Sequence, residues 1–214
     1  MKKSTIIFDL DGTLLDTIQD LAAATNYALR VNGMPEHSIE NIRRFVGNGV
    51  RKLIERAMPE WADTTKRNDV FDAFRAYYME HSLDATKPYD GIREILQELK
   101  KRDWKIAVVS NKMMAATQEL VAHFFPEIEV TIGENEAAGI RKKPAPDMVM
   151  EALKQLGAEK EMAIYVGDSD VDIQTAKNVG IPCISVLWGF RNKEFLLKHG
   201  AMHIIDNPAE LLRI

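Results

Sequence analysis

The chain has 214 residues, 46% of them apolar and 28% charged, with 12 glycines and 8 prolines, a balance that excludes collagenous, mucin-like and disordered chains. Its length is enough to bury most of its apolar surface in one core that carries a sizeable insertion. With 28 basic against 32 acidic residues, a formal net charge of -4 and no long block of either sign, it has no electrostatic footprint for nucleic acid or an anionic membrane, so a small anionic ligand needs a locally built site.

A first strand is expected at Thr5–Phe8, where the apolar run Ile6-Ile7-Phe8 is broken at once by Asp9, far short of a signal-peptide core. From there to about residue 85 the pattern is helical and holds no second convincing strand. Leu21, Ala24, Ala28 and Val31 share one face of a helix stopped by Gly33 and Pro35, and 39–45, 49–58 and 67–81 are also helix-like. From about residue 90 onward, strands at 105–109, 128–132, 162–166, 182–187 and 203–205 alternate with helices that end at Gly157, Gly180 and Gly200. Repeated β then α predicts a three-layer, Rossmann-like parallel sheet built from 1–15 and 86–214, with an all-α module at 16–85. The single cysteine, Cys183, cannot close an intramolecular disulfide and reads as an inert buried thiol, and no apolar stretch is long enough to span a bilayer. These features read as a cytoplasmic protein; whether it is a monomer or a homodimer has no signature in the sequence.

In open α/β sheets ligands bind beyond the carboxyl ends of the strands. The first such end reads Phe8-Asp9-Leu10-Asp11-Gly12-Thr13, and alternation along an extended chain points Asp9 and Asp11 the same way. An Asp-Gly hairpin is the plain alternative, but Leu14-Leu15-Asp16-Thr17 leads into a helix, not a second strand. At Val109-Ser110-Asn111-Lys112 a hydroxyl and free backbone N–H groups meet an expected helix start, which suits either a phosphate or an ordinary N-cap. The connection Arg141-Lys142-Lys143-Pro144-Ala145-Pro146 is stiff and basic, its prolines expected to hold it extended; Arg141 and Lys142 read as solvated, Lys143 as a preorganised point charge for a phosphoryl oxygen. The fourth end, Gly167-Asp168-Ser169-Asp170-Val171-Asp172, crowds three carboxylates where a helix begins. The helix dipole accounts for Asp170, but not for a carboxylate cluster that recurs at two strand ends. Trp188-Gly189-Phe190-Arg191 reads equally as the edge of a site or as a turn.

If the two clusters converge, like charges about 4 Å apart repel by roughly 4 kcal/mol at an effective dielectric near 20, and a phosphate dianion adds to this. A hard divalent cation then becomes necessary, and oxygen-only ligands suit Mg²⁺. One cysteine and five scattered histidines do not suit zinc.

These four segments, in this order, resemble the motif set of the haloacid dehalogenase superfamily of phosphatases, and the resemblance covers nearly the whole chain. It implies the α/β core and a helical cap inserted after the first motif. It also implies Asp9 as nucleophile, Asp11 as general acid and base, and Mg²⁺ held by Asp9, the Asp11 carbonyl and Asp168, with Asp172 supporting the metal shell or Lys143. Thr13, Ser110, Lys143 and the Asn111 backbone would orient the phosphoryl oxygens. The stretch Phe45-Val46-Gly47-Asn48-Gly49-Val50-Arg51 is similar to the cap loop of phosphoglycolate phosphatases, which makes Asn48, Gly49 and Arg51 candidate substrate contacts, although a flexible interhelical loop explains the glycines as well. The expectation is a Mg²⁺-dependent hydrolase of a small phosphorylated metabolite, 2-phosphoglycolate first. A pyrophosphatase, a sugar-phosphate phosphatase and a sugar phosphomutase are the alternatives.

Overall fold

The computed structural model describes residues 4–213. Its central sheet forms because β1 (Thr5–Phe8) is almost wholly apolar and buried on both faces, as a strand of a covered parallel sheet must be. Two short strands, β2 (Leu15–Asp16) and β3 (Lys87–Pro88), pair with each other where the chain leaves and re-enters this unit. β2 lies in a stretch expected to hold no strand, and two residues are too few to show period-2 alternation. The main sheet continues with β4 (Lys105–Met113), β5 (Val130–Glu134), β6 (Ala163–Gly167), β7 (Cys183–Val186) and β8 (His203–Ile205). The six strands lie in the order β5-β4-β1-β6-β7-β8 with parallel pairing throughout.

Alternate residues feed opposite layers. Ile6, Phe8, Ile106, Val108, Ile164 and Val166 join one cluster, whereas Ile7, Ala107, Val109, Ala163 and Tyr165 join the other. Within the α/β unit the first cluster takes in Ile95, Leu96 and Leu99 together with Leu120, Val121 and Phe124; the second takes in Val149, Ala152 and Leu153 together with Ala176 and Val179.

The chain divides into two compact units, 1–16 with 88–214, and 17–87. The second unit is all helical, with α1 (Ile18–Val31), α2 (Ile39–Phe45), α3 (Val50–Ala57) and α4 (Thr64–His81). Leu21, Ala24 and Ala28 of α1 are buried, and so are Val70, Phe74 and Tyr78 of α4. Val31, expected on the same face, is 53% exposed because the helix ends there. Asp63 caps α4 by accepting a hydrogen bond from the Lys66 N–H at 2.9 Å. In the α/β unit, α5 (Ile92–Lys101), α6 (Met114–Phe124), α7 (Asp147–Leu156), α8 (Asp170–Val179) and α9 (Lys193–Lys198) complete the helices. Gly157 and Gly180 close α7 and α8 in the left-handed conformation. Among the described residues, no helix is long and apolar enough to cross a membrane.

β4 runs four residues beyond its expected end, so Ser110 and Asn111 belong to the strand and α6 begins only at Met114. Their polarity suggested a cap, yet both are buried in the sheet. The 141–146 segment is likewise not extended: the Ala145 N–H donates to the Lys142 carbonyl at 3.0 Å and closes a turn, and the Lys143–Pro144 peptide is cis.

Asp20 anchors the end of the helical unit. Its buried carboxylate accepts from the Ala85 N–H at 3.0 and 3.1 Å and from the Thr86 N–H and hydroxyl at 2.8 and 2.7 Å. These contacts share one carboxylate and do not add, so Asp20→Ala is expected to lower the unfolding free energy by about 2–4 kcal/mol in a urea titration; Asp20→Asn, which keeps an acceptor, should lose about half of that.

Candidate active site

Strand register sets the site. Phe8 is level with Val108 on one side and Val166 on the other, so the chain emerges from three adjacent strands at one height and the residues that follow share one rim. Asp9 accepts from the Leu10 N–H at 2.7 Å through Oδ1, and the same oxygen lies 2.9 Å from Lys143 Nζ. Lys143 also donates to Asp172 Oδ1 at 2.8 Å and to the Tyr165 hydroxyl at 2.9 Å. Its backbone is clamped by Asn111, whose amide donates to the Lys143 carbonyl at 2.9 Å and accepts from the Lys143 N–H at 2.8 Å. The Asn111 side chain thus holds the lysine turn, a part that the sequence did not suggest.

Asp172 has both oxygens engaged. Oδ1 faces Lys143 and Tyr165, while Oδ2 accepts from the Ser169 N–H at 3.1 Å and the Ser169 hydroxyl at 2.6 Å. Together with Ser169 it forms the capping box of α8. Asp168 Oδ2 accepts from the Phe190 N–H at 2.6 Å, and the Trp188 indole N–H donates to the Thr13 carbonyl at 2.9 Å. The 188–190 turn therefore braces two of the motif segments. Backbone and carboxylates are packed too closely for any Cβ: one on Gly12 would stand 2.5 Å from Asp168 Oδ2, one on Gly167 2.3 Å from Asp172 Cγ, and one on Gly189 2.3 Å from the Gly12 carbonyl oxygen.

Asp9, Asp168 and Asp172 are all buried, and each offers an oxygen within 4.8 Å of the others. Burial pushes the Asp9 carboxyl up to about 7, with Asp172 and Asp11 adding to the rise against the pull of Lys143. Asp168 is raised well above the usual carboxylate range by burial and then by Asp172 and Asp9. Burial alone would discharge Lys143, but Asp172 and Asp9 outweigh it and hold the ammonium charged. Four carboxylates, counting Asp11, outnumber the cations set against them, the buried Lys143 and Lys112 and the Arg191 that acts on Asp168, so negative charge is in excess once all four ionise. A hard divalent cation bound by oxygen ligands fits that excess and that donor set. The Thr13 hydroxyl is fully buried with no hydrogen-bond partner among the described residues, as suits a group awaiting a ligand oxygen.

Lys112 was not singled out from the sequence. Its Nζ lies 3.0 and 3.1 Å from the two oxygens of Asp11, and its side chain is 2% exposed. Period-2 alternation from Ser110 along a longer β4 would have directed attention to it. Ser110 itself is buried and accepts from the Lys112 N–H at 3.4 Å. In the helical unit, Asn48 Oδ1 accepts from Arg56 at 2.7 Å, Gly49 precedes α3 with φ +84°, and the Arg51 guanidinium sits 4.2 Å from the Phe71 ring centroid. Cys183 is only partly exposed, and burial raises its thiol to about 12.

Gly12→Ala would combine a left-handed φ of +83° with the clash against Asp168. It is expected to cost roughly 2–4 kcal/mol of stability, visible as a lower thermal midpoint.

Residues 6–186 match the sequence model of the haloacid dehalogenase-like hydrolase family. A phosphoglycolate phosphatase of Aquifex aeolicus is 35% identical over 187 residues, covering 86% of this chain and 85% of that protein. The phosphoglycolate phosphatase of Colwellia psychrerythraea is 32% identical over 99% of this chain and 96% of its own length. A crystal structure from Lactobacillus delbrueckii subsp. bulgaricus, provisionally named a phosphoglycolate phosphatase, superposes with a TM-score of 0.93 at 39% identity, covering 99% of this chain and 97% of that one. With the matched segment spanning all four strand-end motifs, the chain belongs to the haloacid dehalogenase-like hydrolase family, as one of its phosphatases.

Proposed function

We propose that the chain is a cytoplasmic, Mg²⁺-dependent phosphomonoesterase that works through an aspartyl-phosphate on Asp9, with 2-phosphoglycolate as its substrate. The observation that carries this reading is the buried Asp9 carboxylate, held by Lys143 and the Leu10 N–H beside Asp168. An Asp9 oxygen forms a bond to phosphorus as the ester P–O bond breaks, and Asp11 gives its proton to the leaving alkoxide. Asp11, now a carboxylate, takes a proton from water; that oxygen attacks phosphorus, and the Asp9 carboxylate leaves with inorganic phosphate as product.

Asp9, the Asp11 carbonyl and Asp168 would hold Mg²⁺, which neutralises charge on the transferring phosphoryl group. Asp172, saturated by Lys143 and its own helix cap, is better suited to orienting Lys143 than to direct ligation. Lys143, Thr13 and Ser110 would orient the phosphoryl oxygens. The helical unit would serve as the cap, with Asn48, Gly49 and Arg51 as its leaving-group contacts. The shared name of the Aquifex and Colwellia relatives supports the choice of substrate.

A phosphate-release screen over 2-phosphoglycolate, pyrophosphate, sugar phosphates and nucleotides should give the highest kcat/KM for 2-phosphoglycolate and no release after Mg²⁺ is chelated. Asp9→Asn should lose roughly 10³-fold or more in kcat, and Asp11→Asn roughly 10²- to 10⁴-fold. Wild-type protein that releases phosphate from no member of the panel would end this reading.

The raised Asp9 carboxyl has a sign that can be checked. Its folded value, about 7, lies above its ordinary 3.8, so the metal-free fold holds an extra proton in that window and loses stability as pH rises through it. Asp9→Asn should remove that loss in metal-free urea titrations. For the same reason Mg²⁺ competes with a proton, and the thermal stabilisation it gives should be larger at about pH 8 than at about pH 6.

A further inference from the structure

Lys112 has no part in the roles proposed above, yet the fold keeps its ammonium out of water, 2% exposed, against both oxygens of Asp11. Removing such a charge from water costs several kcal/mol unless it is paired. The two buried lysines of the site differ in their commitments. Lys143 faces two carboxylates, Asp9 and Asp172, and the Tyr165 hydroxyl, so its charge belongs to the phosphoryl side. Lys112 lies on the other side, at the carboxyl group that faces the leaving oxygen in the reaction proposed above. Whatever that oxygen carries is therefore within one side-chain length of a buried cation. A neutral alcohol there could only accept a hydrogen bond from the ammonium, whereas an anionic group would add an ion pair in a poorly solvated place.

We propose that Lys112 is a specificity-determining residue that binds a second anionic group on the leaving alcohol, a carboxylate carried one carbon from the ester oxygen. It exchanges the Asp11 carboxylate for the substrate's own anion. The preferred class is then the phosphomonoesters of hydroxy acids, and esters of neutral alcohols are disfavoured. This rests on the phosphatase reading and adds to it the residue that reads the leaving group.

The test compares 2-phosphoglycolate with 2-hydroxyethyl phosphate, which has the same length and a neutral leaving alcohol, in wild type, Lys112→Met and Lys112→Arg. Wild type should favour 2-phosphoglycolate in kcat/KM. Lys112→Met should reduce that preference at least about tenfold, mainly through KM, and Lys112→Arg should keep most of it. Equal losses on the two esters in Lys112→Met would mean that the lysine acts only by holding Asp11, and would overturn the proposal, as would an unchanged preference. Calorimetric binding of both esters to the Asp9→Asn form, with and without Lys112→Met, separates this from failure of the parent reading. A discrimination lost there with Lys112 supports the proposal even if wild type turns over neither ester, and equal weakening of both esters defeats it whatever the turnover.

Discussion

The contact between Lys143 and two aspartates from different strand ends is the constraint on which the site depends. Asp9 follows β1, Lys143 sits on the turn before α7, and Asp172 lies in the first turn of α8. None of the three could be buried alone, because an unpaired ionised group in a protein interior costs several kcal/mol. Together they hold three segments at one rim, and the hydrogen bonds of Asn111 to the Lys143 backbone add β4 as a fourth. The parallel register makes the contact possible: a slip of one residue between β1 and β6 would turn Asp168 and its neighbours to the opposite face of the sheet. Sheet stability and site geometry are thus one property, set by the same alternating Ile, Val and Phe residues.

Asp172 illustrates how a catalytic rim is stiffened with few residues. One of its oxygens fixes the lysine and the other caps a helix, so the side chain is locked by two independent partners. Asp168, by contrast, is held through one oxygen by the Phe190 N–H. The two carboxylates four residues apart look equivalent in the sequence but are held differently: both oxygens of Asp172 are engaged within the rim, whereas Asp168 accepts from a backbone N–H of the 188–190 turn. Gly167 and Gly189 let the backbone press against them, and neither position tolerates a Cβ.

The architecture was legible because it rests on local patterns. Short, nearly continuous apolar runs mark the strands, Asp9, Asp11, Asp168 and Asp172 stand out as carboxylates at apolar strand ends, where burial makes them expensive, and Lys143 stands out as a cation in a proline-stiffened connection. What escaped notice depended on pairings that no local pattern encodes. Ser110, Asn111 and Lys112 read as a polar helix start, because their burial comes from partners 32 and 101 residues away in sequence. The 141–146 segment reads as extended from its prolines, yet the clamp by Asn111 requires a turn. Polar residues inside a functional rim imitate loops in sequence, since the groups that satisfy them arrive only with the tertiary fold.

The charge balance of the rim also explains why two lysines serve it. Lys143 pairs with Asp9 and Asp172 and Lys112 with Asp11, so each buried ammonium offsets carboxylates in its own half of the rim. Differential stabilisation of the transition state is what raises the rate, and uniform tight binding does not. In the reaction proposed above, loss of Lys112 would leave a substrate carboxylate beside Asp11 without that ammonium. Loss of Lys143 would create the same deficit at Asp9, the carboxylate proposed to attack phosphorus. The lysines are therefore not interchangeable: each is paired with a different set of carboxylates, and in the proposed reaction each faces the half of the rim that would receive a further negative charge.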